Sequence, residues 1–299
     1  MSAKAIEIAP AATRSFSQRR KARQNGTMPA VSQTLIQFAN NYRQVPSPGI
    51  EVIVKARYEV MLQPDFPIAG PNSVSWIRCR AADADEVISE ARAIVATREI
   101  PVMWVLDPGT VPPDFATRLD AHGIRPDPHG HESAVMVLPV EAPLEAPHVQ
   151  GLEIRDALAD LDSFRAADAA AAEAFMATHL SDDPAIVAAQ DRRRINALAA
   201  RNRHLLLATI DGESAGSGSV TLFPPLGATM NGGSVRPKFR GRGVYRALVA
   251  ARLEIARQAG LGGLSVWAGE MSGPILSRLG FQKVGWRRFY LDEAAAPQR

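Results

Sequence analysis

Apolar residues recur along this chain with two periods, and the switches between them predict its elements. Leu35, Ile36, Phe38, Ala39 and Tyr42 form a short amphipathic helix, stopped by Pro46-Ser47-Pro48-Gly49. Ile50, Val52 and Val54 alternate as a strand does, and Val60-Met61-Leu62 is a second β-rich cluster. After a loop rich in Pro and Gly, alternation from Val74 to Arg80 predicts a strand, and Val87, Ala91, Ile94 and Val95 predict a helix over Asp83 to Arg98. Val102 to Leu106 is a buried strand. A helix from Pro113 to His122 follows, with Phe115 and Leu119 inward, and then a strand from Ser133 to Val140.

Residues 141–149 have two prolines and no pattern, and read as a linker. Beyond it lie a strand at Leu152–Arg155, an Ala-rich helix from Leu158 to Met176, and a helix from Pro184 to Arg201 facing inward through Ile186, Val187, Ile195 and Leu198. Strands Leu205–Ile210 and Gly216–Phe223 flank the hairpin signal Asp211-Gly212. Ala228–Val235 is a strand, and Val244, Leu248, Ala251 and Ile255 place a helix up to about Ala259. A strand at Leu264–Ala268, a short helix at Gly273–Leu279 and a strand at Phe281–Leu291 close the chain. The fold class is α/β, an α+β mixed sheet. It is read as a basic tail over 1–30, a first domain over 31–140, the linker, and a second domain over 150–299. Both halves end in strand-helix-strand-helix-strand, a sign of internal duplication.

Composition changes this picture little. The chain has 299 residues, 46% hydrophobic and 22% charged, as soluble globular proteins do. A formal net charge of +3 gives no case for nucleic acid. The single cysteine, Cys79, excludes an internal disulfide and a cysteine-based zinc site, and fits a reducing, cytoplasmic setting. No run is long enough for a membrane span, and the Arg-rich first 30 residues lack the apolar core of a secretory signal. The sequence leaves the oligomeric state open, a homo-oligomer included.

The chemistry concentrates at Arg240-Gly241-Arg242-Gly243-Val244-Tyr245, between a strand and a helix. Orphan N–H groups and the positive end of the helix dipole meet there, which suits a phosphate. Gly241 and Gly243 let backbone approach a ligand, and Arg240 and Arg242 add forked positive charge.

From Ala228 onward the sequence resembles the GCN5-related N-acetyltransferases (GNAT). The loop matches that family's Gln/Arg-x-x-Gly-x-Gly/Ala pattern, preceded by Val235-Arg236-Pro237-Lys238-Phe239, and Leu279-Gly280-Phe281 matches a later Leu-Gly-Phe. The strand order of 150–291 is the family's whole fold. The first half, with Val102-Met103-Trp104-Val105, Asp107-Pro108-Gly109-Thr110 and Leu119-Asp120-Ala121-His122-Gly123, is similar to the N-terminal halves of tandem acetyltransferases, as a degenerate copy without the loop. The resemblance implies acetyl-CoA or another acyl-CoA as cosubstrate, no metal, and an amine acceptor on a small molecule or peptide. It also implies that Ser234, Val235, Arg240, Gly241, Arg242, Gly243, Val244 and Tyr245 bind the coenzyme, that the strands Ala228–Val235 and Leu264–Ala268 splay around the thioester, and that residues 150–201 and the turn at Pro224 shape the acceptor pocket.

The sequence departs from the family in its proton-transfer residues. Tyr245 stands where the family has Gly or Ala, and Leu276 stands where many members have a general-acid tyrosine. Gly269 replaces a frequent asparagine, and Ala228–Val235 has no carboxylate to act as base. Glu270 is the candidate base, against a solvated carboxylate. Ser272 is a helix cap, a thiol proton donor, or both. Tyr245 contacts the coenzyme or packs the helix start. The departures keep three alternatives open: an acyl-CoA-binding regulator or scaffold, O-acylation, and acyl-CoA decarboxylation. His129 and His131 read as solvated, Asp182 and Asp183 as a helix cap or an attraction for a cationic amine, and Arg192-Arg193-Arg194 as an exposed helix face. Trp76 and Trp104 read as core, and Trp267 and Trp286 as core or pocket wall.

Overall fold

In the computed structural model, residues 29–98, 100–175 and 184–293 are described; the tail, the segment 176–183 with Asp182 and Asp183, and the last residues lie outside them. The first half runs α1 (Gln33–Asn41), β1 (Glu51–Val54), β2 (Glu59–Leu62), β3 (Ser73–Ser75), α2 (Ala84–Ala96), β4 (Val102–Leu106), α3 (Phe115–Ala121), β5 (Arg125–Pro126) and β6 (Glu132–Pro139). The second runs β7 (Leu152–Asp156), α4 (Leu161–Ala174), α5 (Pro184–Ala200), β8 (Arg203–Ile210), β9 (Glu213–Phe223), β10 (Gly227–Val235), α6 (Val244–Gln258), β11 (Gly263–Ala268), α7 (Gly273–Arg278) and β12 (Gln282–Asp292).

All strands join one mixed sheet in the order β1-β2-β3-β4-β12-β6-β11-β10-β9-β8-β7, with β5 on β12. The last strand of each half is exchanged. β6 pairs with β11 on one side and with β12 on the other, and β12 continues the ladder to β4. The order β3-α2-β4-α3 of the first half repeats as β10-α6-β11-α7 in the second, and in both the two strands pair in parallel.

Alternation sorts the side chains onto two faces. On one face, α2 and α3 cover Val60, Val74, Trp104 and Leu106, while α6 and α7 cover Met136, Leu138, Met230 and Leu264. On the other face, α1 packs Leu35, Phe38 and Ala39 on Val135 and Val137 at the middle of the sheet. A Cβ on Gly227 would stand 2.6 Å from the Phe38 ring, so glycine there lets α1 come down onto β10. The helix starts on Ser32, whose hydroxyl accepts from the Leu35 N–H at 3.2 Å. α4 lies on the same face, with Ser217 donating to the Ala167 carbonyl at 2.9 Å.

Three expectations fail here. α5 buries only Gln190, and Ile195 and Leu198 are exposed rather than inward. The helix is held instead by its arginines: Arg192 pairs with Asp65, Arg193 with Asp168, and Arg194 donates to the Leu158 carbonyl at 3.1 Å. Three arginines that read as a solvated face are thus clamps. Trp76 is not core either; it is half-buried with φ of 57° and follows β3, which ends at Ser75.

Candidate functional site

β10 and β11 are in parallel register only at Ala228↔Leu264 and Thr229↔Ser265. Past Thr229 they part. β11 stays on β6 as far as Ala268↔Ala134, while β10 bulges between Asn231 and Ser234 and keeps its pairing with β9. A bulge bends its strand, and here it turns the end of β10 away from β11. From this end of β10 the chain runs on into the N-terminus of α6.

Between β10 and α6 the chain makes a 3-10 turn at Pro237–Phe239 and then the glycine loop. Gly241 and Gly243 have φ of 76° and 87°, left-handed values that favour glycine. Among the described residues, the N–H groups of Gly241 to Arg246 donate to no protein acceptor, and the first helical bond is Ala247 N–H to Gly243 at 3.0 Å. Six adjacent donors at a helix start, with no acidic residue in the first turn of α6, form a cradle whose geometry suits an anion. In the first half the corresponding helix is α2, whose start carries Asp83, Asp85 and Glu86, each paired with a cation of the protein.

The loop residues divide by role. Arg240 is committed to the fold: its Nε donates to the Val235 carbonyl at 3.3 Å and its Nη2 to the Ala174 carbonyl, at the end of α4, at 3.1 Å. Arg242 is exposed and lies 5.5 Å from the Phe239 ring centre. Ser234 is buried, with its hydroxyl 3.2 Å from that of Ser217. Val244 is core. The Tyr245 ring packs under β10 against Gly233, and burial raises its phenol. Beside it Arg252 is fully buried; Gly218 and Gly233 leave space for its guanidinium, and burial lowers its pKa to about 10. Nothing in the pattern of α6 marked a buried arginine.

On the α1 and α4 face, the splay opens into a cavity of about 760 Å³ walled by both halves. Thr229 and Asn231 of β10 and Trp267 of β11 stand where the strands part. The Trp267 ring lies 6.1 Å from Tyr42, 6.0 Å from Phe289 and 5.3 Å from the Arg287 guanidinium. Burial pushes the Tyr42 phenol up to about 12, against the nearby Arg287 charge, so the phenol holds its proton at neutral pH. From the first half come Glu59, Asp107 and Trp76. Trp76 sits under two guanidiniums, Arg43 at 4.2 Å and Arg78 at 5.1 Å. Arg43 pairs with Glu59, and Arg78 reaches both oxygens of Asp107 at 2.9 and 3.1 Å. Positive φ in a tryptophan is strained, and such strain gathers at functional sites.

The proposed proton-transfer residues lie elsewhere. Glu270 is exposed and is not on the cavity wall. Ser272 precedes α7 without capping it, its hydroxyl donating to the Gly269 carbonyl at 3.4 Å. Leu276 is fully buried with Phe281 and Leu264. Trp286 faces away from the cavity, under Arg288 at 4.7 Å. His131 Nδ1 meets the Phe289 carbonyl at 3.0 Å, and no group of three or more metal-ligating side chains occurs among the described residues. No helix among them is long and apolar enough to cross a membrane.

Residues 169–274, from within α4 to the start of α7, match the model of the Acetyltransferase (GNAT) family. The chain carries a GNAT domain. No curated protein matches it in sequence. Among solved structures, a GCN5-related N-acetyltransferase from Kribbella flavida is 14% identical, with 84% of this chain and 91% of that one covered and a TM-score of 0.60. A tandem GNAT protein from the clavulanic acid biosynthesis pathway is 16% identical over 93% of both chains, with a TM-score of 0.56. A GCN5-related N-acetyltransferase from Sphaerobacter thermophilus is 19% identical over 83% of both, also at 0.56. Identities this low show a shared fold, here one that spans both halves. The matched GNAT segment contains the cradle, the bulge of β10 and the splay.

Proposed function

We propose that the protein is an acyl-CoA-dependent N-acyltransferase that moves an acyl group, most simply acetyl, from the coenzyme to a primary amine. The observation that carries this is the row of free N–H groups from Gly241 to Arg246, set beside strands that part into a walled cavity. The cradle and Arg242 would hold the pyrophosphate, and the main chain of β10 through Ser234 and Val235 would align the pantetheine arm. The reacting thioester would then lie near Thr229 and Trp267, facing the cavity. The amine attacks the carbonyl, a C–N bond forms, the C–S bond breaks, and a proton passes from the amine to the thiolate or to solvent. A backbone N–H of β10, left without a partner on the β11 side, is the natural donor to the oxyanion.

A second reading, binding of acyl-CoA without transfer, is favoured by Leu276 and Glu270, neither of which offers proton chemistry in the cavity. Thiol release from acetyl-CoA across an amine panel, run beside calorimetric CoA binding, separates the two. Amine-dependent release supports transfer; binding with no release from any amine supports the second reading.

The cradle has its own test. Gly243 is a poor probe, because a Cβ there would stand 3.2 Å from Pro147 and Val149, whereas one on Gly241 meets nothing within 4 Å. Gly241→Asp places a negative charge in open space at the cradle, and aspartate tolerates left-handed backbone better than most residues. It is expected to weaken CoA binding by more than about 100-fold with the thermal midpoint nearly unchanged. Unaltered affinity sinks the assignment of the cradle.

A further inference from the structure

Most charges on the cavity wall are neutralised within the protein. Glu59 is taken by Arg43, and Asp107 by Arg78 and the Gly109 N–H. Across the cavity, Asp65 is taken by Arg192 and Asp168 by Arg193. Two cavity arginines, Arg287 and Arg203, have no carboxylate within ion-pair distance among the described residues, and the Nε of Arg203 is buried with no acceptor.

Arg287 is the better placed. It is 5% exposed, on β12. Its Nη1 donates to its neighbour's carbonyl, Trp286, at 2.8 Å, and its Nη2 to the Asn40 carbonyl at the end of α1 at 2.7 Å. These bonds, with the negative pole of α1, orient the guanidinium without cancelling its charge. Asp107, whose charge it feels, is beyond ion-pair distance and already bound. Burying a guanidinium without a counter-charge is costly, and burial does lower its pKa. The ring beside it is Trp267, on the strand that forms one lip of the splay.

We propose that the acceptor is an amine carrying a carboxylate a few bonds away, an amino acid rather than a neutral amine, and that Arg287 binds that carboxylate. The proposal rests on the acyltransferase reading and narrows its substrate. A carboxylate on Arg287 completes the missing ion pair at the end of the cavity where Trp267 marks the splay. The amine of a small amino acid held there lies over Trp267, toward the position of the thioester.

The test measures thiol release from acetyl-CoA with the proteinogenic amino acids and with their α-amides, for the wild type, Arg287→Gln and Arg287→Lys. On the wild type, at least one acid is expected to exceed its amide in kcat/KM by about 10- to 100-fold, the worth of a charge-assisted hydrogen bond. In Arg287→Gln that preference disappears through a raised KM, and Arg287→Lys keeps part of it. The acid-to-amide ratio of the wild type needs no variant, so a variant that fails to fold leaves the proposal exposed to refutation. Amides reacting as well as acids overturn the carboxylate anchor and leave acyl transfer standing. If no amine releases thiol, calorimetry with the same amino acids decides: binding to the wild type that is lost in Arg287→Gln supports the anchor while removing acyl transfer, and no binding overturns the anchor.

Discussion

Arg240 and Arg242 are two residues apart with opposite commitments. Arg240 ties the end of β10 to the last turn of α4, so Arg240→Ala is expected to lower the thermal midpoint and to weaken CoA only as the loop loosens. Arg242 makes no hydrogen bond to protein among the described residues, so Arg242→Ala is expected to leave the midpoint in place and weaken CoA about five- to tenfold. Calorimetry and thermal melts on both variants check this; equal effects on both measurements sink the division. Glu59 offers a test in pH. Burial outweighs Arg43 and raises its carboxyl above the ordinary range. The folded chain therefore holds that proton more tightly than the unfolded chain, and ionising it costs stability as pH rises through the raised value. Glu59→Gln cannot ionise and keeps a hydrogen-bonding side chain for Arg43. Its midpoint minus that of the wild type is expected to grow with pH across the carboxylate range and level off above it; a flat or opposite trend refutes the burial argument. The loop glycines were legible in the sequence because left-handed turns favour that residue type, whereas the split between the two arginines was not, because Arg240 is held by the Val235 and Ala174 carbonyls. Trp76 was not, because alternation placed it in a strand, and the turn to φ of 57° that sends it to the cavity leaves no trace in hydropathy.

Among the elements, α1 has the widest reach. It lies on β6, touches both halves, carries Asn40 to Arg287, and delivers Tyr42 to the cavity. Its seat depends on Gly227. In Gly227→Ala the new Cβ meets the Phe38 ring at 2.6 to 2.7 Å, and that ring is confined by Tyr42 and Phe223 at 5.5 Å each. Overpacking of this kind costs about 1–3 kcal/mol. Combined with Phe38→Leu, the cost should fall below the sum of the single changes, since one contact is shared. Additive losses in denaturant titrations would show that Gly227 is not where α1 docks. Helix α1 itself was legible from its apolar spacing, while its place on the sheet was not, because Gly227 reads as the end of the turn before the strand. α5 illustrates the converse. Ile195 and Leu198 fit a buried face by spacing, yet they are exposed, because ion pairs to Asp65 and Asp168 set the helix's rotation. Periodicity records where apolar residues lie on a helix, and partners far away in sequence decide which side is turned inward.

At the scale of the molecule, the exchange of β6 and β12 is the feature that local pattern could not disclose. Both strands were legible as strands, but pairing between residues more than a hundred positions apart leaves no local mark. Its consequence for the site is direct: Trp267 stands on β11 beside β6, Arg287 stands on β12 between β6 and β4, and the cavity has walls from both halves. A fragment of residues 150–299 lacks the strand that separates β11 from β12. It loses the ladders from Gly263↔Pro139 to Ala268↔Ala134 and from Gln282↔Val137 to Arg288↔Glu132. It also loses Val135, Met136, Val137 and Leu138, each at most 3% exposed in the intact chain. Two strands would then present unpaired backbone, and the apolar faces beneath α1 and α6 would meet water. The expected outcome is that 150–299 alone melts without cooperativity and binds a hydrophobic dye, that co-expression with 29–149 restores a sharp transition, and that the full chain unfolds in one step in which fluorescence and circular dichroism coincide. A sharp melt of 150–299 alone, or two separate transitions in the full chain, would show that the halves are stable apart. The same co-expression tests the site, because a cavity closed by exchanged strands should regain any amine-dependent thiol release only when both fragments are present.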